Sequence, residues 1–500
     1  MKPNLLFLLE PGFQYYGLSK LMQKTLPGKY YAIIYDRLGA KDFYKQQTDV
    51  NFENSWLLDE SFEINPEKID IDYLRSFENK YGISLWLIAN SDKDFHHEYN
   101  THHKFSRNEI LSILENECKF YEKILIETKP DFLIMNSISR HYSYLLYQLA
   151  KSLKIQVLTL ETPRLARRWF IASKINETDY KKTFETKSQR NPEDLLEEFK
   201  QLSFYKYGYE YLKPRKIHIS EKIKSKIFKR NLNQHLTYLE NYRRQKKILP
   251  QALGMRQNFL IKKRKKFINN FFENIISNNQ KFLYFPLHAE PEKRTLLDAP
   301  FHFNQIHVIQ SISKALPVDY FLYVKEHPFQ ESYGYRDLDF YNSIIELPNV
   351  RLYHPDVSNV DLIKKSSLVV TIAGTAGFEA AFYGKPSIVF SKTEYSNLSS
   401  VTLVENFNDL PNLIRDSLTI SVDYSELNNY FEFLLERSVY FDNAKFGIDY
   451  NNLFYAGVSK FQNVEKSTVN SFLEKHESML NQLAEAHVSI INNFLTQKST

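Results

Sequence analysis

Short, fully apolar runs alternate with helix-like stretches in two separate parts of this chain, and that alternation constrains its fold more than any other feature. Residues 5–9 (LLFLL) are a continuous apolar run, and 30–35 (YYAIIY), 131–135 (DFLIM) and 155–160 (IQVLTL) are mainly apolar stretches of strand length. Strands buried on both faces read this way, because no face is left for water. Helical stretches fall between them, at residues 17–25, 106–128 and 140–153. The second opens on Ser106-Arg-Asn-Glu109, a capping box, and Pro130 closes it. The same grammar returns at residues 282–287, 319–325, 350–353, 368–372 and 387–390, with helices expected over 304–315, 359–365 and 375–383. Strand–helix–strand repetition predicts doubly wound parallel sheets. A chain of 500 residues has room for several domains. The reading is α/β: a Rossmann-like unit over 1–170, a basic helical insertion or connector over 171–278, a second Rossmann-like unit over 279–420, and C-terminal helices over 421–500. Two such units joined by a linker imply two facing domains and a cleft.

Charge is unevenly spread. Between Lys213 and Lys266 there are 18 Lys or Arg against two acids, Glu221 and Glu240, so this segment carries +16 and the rest −10 of the net +6. Concentrated basic charge points to an anionic surface, a phospholipid membrane or a nucleic acid, or else to a solvated helical face. A single cysteine, Cys118, excludes an intrachain disulfide and a cysteine-based zinc site. No run approaches the 18 apolar residues of a membrane span, and the apolar stretch near the N-terminus is too short for a signal peptide. A cytoplasmic protein, peripheral at the inner membrane face, is expected.

Three strand ends carry the polar chemistry. The run 282–287 leads into His288, Glu290, Glu292, Lys293 and Arg294. The run 319–325 leads into Lys325, His327 and Pro328, and the proline fixes the turn. The run 368–372 leads into Gly374-Thr375-Ala376-Gly377, which opens a helix carrying Glu379. Open α/β sheets bind ligands at the carboxyl ends of their strands, and a helix N-terminus reached through glycine suits a phosphate. Glu379 would meet a ribose diol. Dinucleotide, P-loop and nucleophile-elbow motifs are absent. The segment with His97, Glu98 and His102 places the two histidines about 140° apart on a helix, so they cannot share an ion. It is read as a surface loop, and no metal or other cofactor is expected.

The segments PLHAEPE, YVKEHP and TIAGTAGFEAAFYGKP, in this order and spacing, resemble the C-terminal half of bacterial capsule and surface-polysaccharide biosynthesis glycosyltransferases. They are similar to those of capsule-type Kdo transferases, and the Lys-x-His-Pro element resembles the HP motif of GT-B sialyltransferases. The likeness spans about residues 280–392. It implies a GT-B fold and an inverting, metal-independent transfer from a nucleotide sugar, CMP-activated Kdo or a nonulosonic acid, to a surface-glycan acceptor. It implies that Lys325 and His327 contact the phosphate, with His327 assisting departure of CMP. By the same resemblance Gly374 and Thr375 bind phosphate, Glu379 holds the ribose, and His288 and Glu290 face the donor sugar. The acidic element that supplies the base in those relatives is missing. Glu161, at the end of the run 155–160, is the candidate base, with Glu10 as its rival. Arg164, Arg167 and Arg168 are candidates to hold an anionic acceptor. A UDP-sugar transferase, a sugar-nucleotide epimerase or a polyol-phosphate transferase on the same fold remains an alternative. So does a non-enzymatic nucleic-acid-binding or scaffold protein using the basic segment.

Overall fold

The computed structural model describes residues 2–35, 40–58, 62–96, 103–176, 180, 189–204, 251–455 and 464–499; side chains of residues 251–258, 455, 498 and 499 are not described. His97, Glu98, His102 and most of the basic segment lie outside the described residues. Two sheets dominate. The first runs in the order β13-β6-β5-β4-β1-β2-β3. Its strands are β1 (Asn4–Leu9), β2 (Lys29–Ile34), β3 (Asn54–Leu57), β4 (Phe132–Met135), β5 (Gln156–Glu161), β6 (Arg168–Ala172) and β13 (Val439–Tyr440). Five of these are parallel, while β6 and β13 extend the sheet antiparallel. The second sheet is parallel throughout, in the order β12-β11-β10-β7-β8-β9. It comprises β7 (Lys281–Pro286), β8 (Tyr320–Lys325), β9 (Val350–Tyr353), β10 (Leu368–Thr371), β11 (Ser387–Val389) and β12 (Val401–Leu403). This is the GT-B-like α/β architecture that the alternation implies.

The apolar runs form central strands because both faces are covered. On β1, Leu6 and Leu8 join one core, while Leu5, Phe7 and Leu9 join the core on the opposite face. On β7, Leu283 and Phe285 face one core and Phe282 and Tyr284 the other. The capping box forms as read: Ser106 and Glu109 exchange hydrogen bonds at the start of the helix Arg107–Thr128.

The chain does not end beside its second sheet. After the helix Tyr424–Arg437 it crosses back, adds β13 to the first sheet, and lays the helix Glu477–Ser499 against the helix Gln14–Thr25. Leu473, Leu480, Leu483 and Ile491 thereby enter the core of Phe7, Tyr15 and Met22. Gly17 permits this approach, because a Cβ there would lie 2.8 Å from Leu473 Cδ2. Arg167 and Arg168 serve the same junction. Arg167 pairs with Asp442 at 2.9 Å. Arg168 donates to Ser438 Oγ and to the carbonyls of Leu435 and Ser438. These two candidate acceptor contacts thus hold the returning C-terminal segment.

The first domain buries a charged group. His141 Nδ1 lies 2.7 Å from Asp92 and Nε2 lies 2.9 Å from Glu117, and all three side chains are buried. Burial opposes the imidazolium, but the two carboxylates outweigh it and push its pKa up to about 10.

Candidate active site

In the second sheet the strand order reverses between β7 and β10, and ligands of open α/β sheets bind in the crevice at such a point. A cavity of roughly 530 Å³ lies there. Its walls are the three loops singled out in the sequence: Pro286–Glu292 after β7, His327–Tyr333 after β8, and Thr371–Glu379 after β10. Thr162 and Arg164 of the first domain close it from across the cleft.

Hydrogen bonds from side chains to backbone fix the loops. Gln305 binds the backbone of His288, accepting from its N–H at 2.8 Å, and Gln330 binds the backbone of Glu290 in the same way at 2.9 Å. Arg336 ties the loops after β7 and β8 together from behind, donating to the His288 carbonyl and pairing with Glu290 and Glu326. Glu290 is therefore not a donor contact. It is spent on Arg336 and absent from the cavity wall.

His288 Nε2 accepts from the Ala373 N–H at 3.4 Å, which leaves the proton on Nδ1, 2.7 Å from Glu292. Burial works against the charge of Glu292, but the His288 bond and the field of Arg294 hold its carboxyl below the usual range. Gly374 is fixed by close approach: a Cβ there would meet Thr371 Oγ1 at 2.6 Å and His288 Cε1 at 3.3 Å. Thr375 follows as the first residue of the helix Thr375–Phe382, and Glu379 lies one turn further in, on the cavity wall.

His327 reaches the cavity as a neutral donor. Its Nδ1 accepts from the Phe329 N–H at 3.2 Å, so the proton sits on Nε2. Burial pushes its pKa down to about 4. Lys325 shares its strand face but lies deeper, 2% exposed and outside the cavity wall. No hydrogen bond to its ammonium is found among the described residues, and burial pushes its pKa down to about 8. Lys325, the candidate phosphate contact, thus stands behind the cavity wall.

Ion pairs lock the two domains across the cleft. Lys293 Nζ lies 2.8 and 3.0 Å from the two carboxylate oxygens of Glu161. Glu161 is 1% exposed, and burial pushes its carboxyl up. Its oxygens are held by Lys293 and it is absent from the cavity wall, so it is not placed to act as the base. Arg164 grips Glu394 through Nε and Nη2, at 3.0 and 2.9 Å, and its Nη1 reaches Thr375 Oγ1 at 3.5 Å. Arg294 approaches the other oxygen of Glu394 at 3.4 Å and pairs with Asp298 at 2.8 Å.

Glu10 occupies the corresponding reversal point of the first sheet, between β1 and β4. It is half-buried and accepts from the Tyr142 hydroxyl at 2.7 Å, and burial pushes its carboxyl up.

The cavity therefore gathers His288, His327, Gly374, Thr375, Glu379 and Arg164. Glu161, Glu290, Lys325, Arg167 and Arg168 stand outside it. Sequence reasoning did not select Glu292 or Arg294, although both are in the polar run after β7, and it missed Arg336 and Glu394, which leave no local pattern.

Residues 184–403 match the model of the family described as capsule polysaccharide biosynthesis protein. Over that stretch the chain is similar to capsule polysaccharide biosynthesis proteins. The matched stretch contains all three cavity loops. No curated protein matches the sequence. Among solved structures, the UDP-GlcNAc 2-epimerase from Methanocaldococcus jannaschii aligns at 14% identity, over 87% of this chain and 99% of its own, with a TM-score of 0.25. The Thermosulfurimonas dismutans KpsC beta Kdo 2,7 transferase aligns at 12% identity, over 73% of this chain and 87% of its own, with a TM-score of 0.30. The beta Kdo 2,4 transferase of the same KpsC aligns at 12% identity, over 60% and 78%, with a TM-score of 0.31.

Proposed function

We propose that this chain is a glycosyltransferase of surface-polysaccharide synthesis, moving a sugar from a nucleotide donor to a glycan acceptor presented at an anionic membrane surface. The observation that carries the reading is the convergence, at the reversal point of the second sheet, of the His327 Nε2–H donor with the Gly374–Thr375 helix start. A phosphate placed there receives hydrogen bonds from the helix N-terminus and from His327, with the field of Lys325 behind them. Glu379 would take the ribose hydroxyls. Arg164 and Arg294 line the cavity with two guanidinium groups, for which the carboxylate of a sugar acid would compete with Glu394 and Asp298. That composition favours a CMP-activated Kdo or nonulosonic acid as donor.

The transfer is a single displacement with inversion. Glu10 is the base in this reading, because it ends β1 at the reversal point of the first sheet and accepts from the Tyr142 hydroxyl, whereas the carboxylate of Glu161 is held by Lys293. The bond from sugar to phosphate breaks as the acceptor oxygen attacks. Its electrons pass to the phosphate oxygen, and the His327 hydrogen bond stabilises the charge that develops there. In this reading no metal takes part: the His327 donor, the Gly374–Thr375 helix start and the field of Lys325 meet the phosphate charge.

CMP at millimolar concentration should raise the melting temperature more than UMP, UDP, GDP or NAD, and should do so in EDTA. A ligand at about 100 times its Kd adds roughly 2.7 kcal/mol. Preferential stabilisation by UDP, or strict metal dependence, would move the assignment to a different donor. Arg164→Lys keeps the charge but loses the two-nitrogen grip on Glu394 and the reach to Thr375. The donor KM should rise by about ten-fold, the scale of one charged hydrogen bond, with kcat changed less.

A further inference from the structure

The described end of the basic segment is the helix Gln251–Phe271, and its positive residues divide into two sets. Arg264 and Lys265 are spent inward. Arg264 donates to the carbonyls of Gly334 and Tyr335 and pairs with Asp337, while Lys265 pairs with Glu331 at 2.6 Å. Ile261 packs beside Gly334, and Phe267, Ile268 and Phe272 face the core of the second domain. Lys262, Lys263 and Lys266 are exposed, and none meets an acceptor among the described residues. At 100° per residue they lie within about 60° of Phe259, which is 68% exposed. Phe271 and Ile275, 61% and 83% exposed, stand at the far end.

We propose that this outer face, Phe259 with Lys262, Lys263 and Lys266, docks on a bilayer containing anionic phospholipid. An exposed apolar side chain ringed by unpaired lysines fits the headgroup boundary, where the ring enters the acyl edge and the ammonium groups meet phosphates. A single exposed ring among the lysines favours lipid over a single-stranded nucleic acid, which stacks successive bases on a row of aromatic platforms. The inner face of the same helix holds the turn Pro328–Tyr333, and Ser332 and Tyr333 of that turn line the cavity. The docking face is thus separated from a turn of the cavity wall by the width of one helix. The surface rests on the proposed function only for the identity of what is delivered there, a lipid-linked acceptor.

The test is flotation of the full chain with vesicles of phosphatidylcholine, alone or with phosphatidylglycerol. The parent protein should float only with the anionic vesicles, and less as salt rises. Each lysine near such a surface multiplies partitioning about five-fold. The combined Lys262→Glu, Lys263→Glu and Lys266→Glu variant should lose on the order of 100-fold, and Phe259→Ser should weaken binding further than salt alone does. The CMP-induced thermal shift of each variant should match the parent, which shows that fold and cavity are intact. Absence of flotation by the parent, or flotation of the triple variant at parental levels, overturns the proposal. So does salt-sensitive RNA binding by a parent that ignores the vesicles. Flotation without any CMP response would leave the docking surface standing and remove the donor assignment instead.

Discussion

His327→Ala is expected to lower kcat by about 100-fold or more while the protein stays folded. The side chain sits on the cavity wall and not in a core cluster, so its removal costs little packing. What is lost is an Nε2–H held in place by the Phe329 N–H on the opposite ring nitrogen. Removing one preorganised donor from a developing oxyanion typically costs 100- to 1,000-fold. The ring is neutral, with burial taking its pKa down to about 4, so it stabilises the leaving phosphate as a hydrogen-bond donor and not as a reservoir of a free proton. The pH profile of kcat/KM should therefore show no inflection near 6.5 that disappears in the variant. A folded His327→Ala protein with near-parental kcat would remove the catalytic role and the preference for a CMP-sugar donor.

His141→Ala is expected to destabilise the first domain by about 3–5 kcal/mol, read as a large fall in melting temperature. The imidazolium lies between Asp92 and Glu117, both 0% exposed, and its loss leaves Glu117 as a buried charge without its counter-ion. The pH dependence has a definite sign. The folded pKa, about 10, stands above the ordinary 6.5, so the folded state keeps a proton that the unfolded state releases. The contribution is complete below about 6.5 and is lost as pH rises toward 10. Melting temperature should fall over that window in the parent, and His141→Ala should lack that part of the slope. An unchanged melting temperature at neutral pH would show that the buried charge is not held as described.

The sites divide by how local their causes are. The loops after β7, β8 and β10 were legible because a buried parallel strand demands an unbroken apolar run, and the polar residues that interrupt it mark the carboxyl end. Gly374 was legible because it leads from an apolar run into a helix start, and the structure adds that a Cβ there would meet Thr371 and His288. The depth of Lys325 was not legible: spacing gave its face, correctly shared with His327, but nothing in the sequence says that the wall forms two residues later. The candidate base was likewise undecided, since Glu10 and Glu161 both end central strands.

The sequence by itself determined the central parallel strands of the two sheets and the three loops of the cavity, because each follows from hydrophobic pattern and turn chemistry within a few residues. Only the tertiary structure decided that Glu161 is occupied by Lys293, 132 residues away, and that Arg164 reaches Glu394, 230 residues away. It alone brought β13 to the first sheet and the helix Glu477–Ser499 to the helix Gln14–Thr25, with Arg167 and Arg168 holding the joint. A charged side chain carries no record of its partner. Which carboxylate a lysine or arginine meets is settled by how the domains close over one another, after local pattern has done its part.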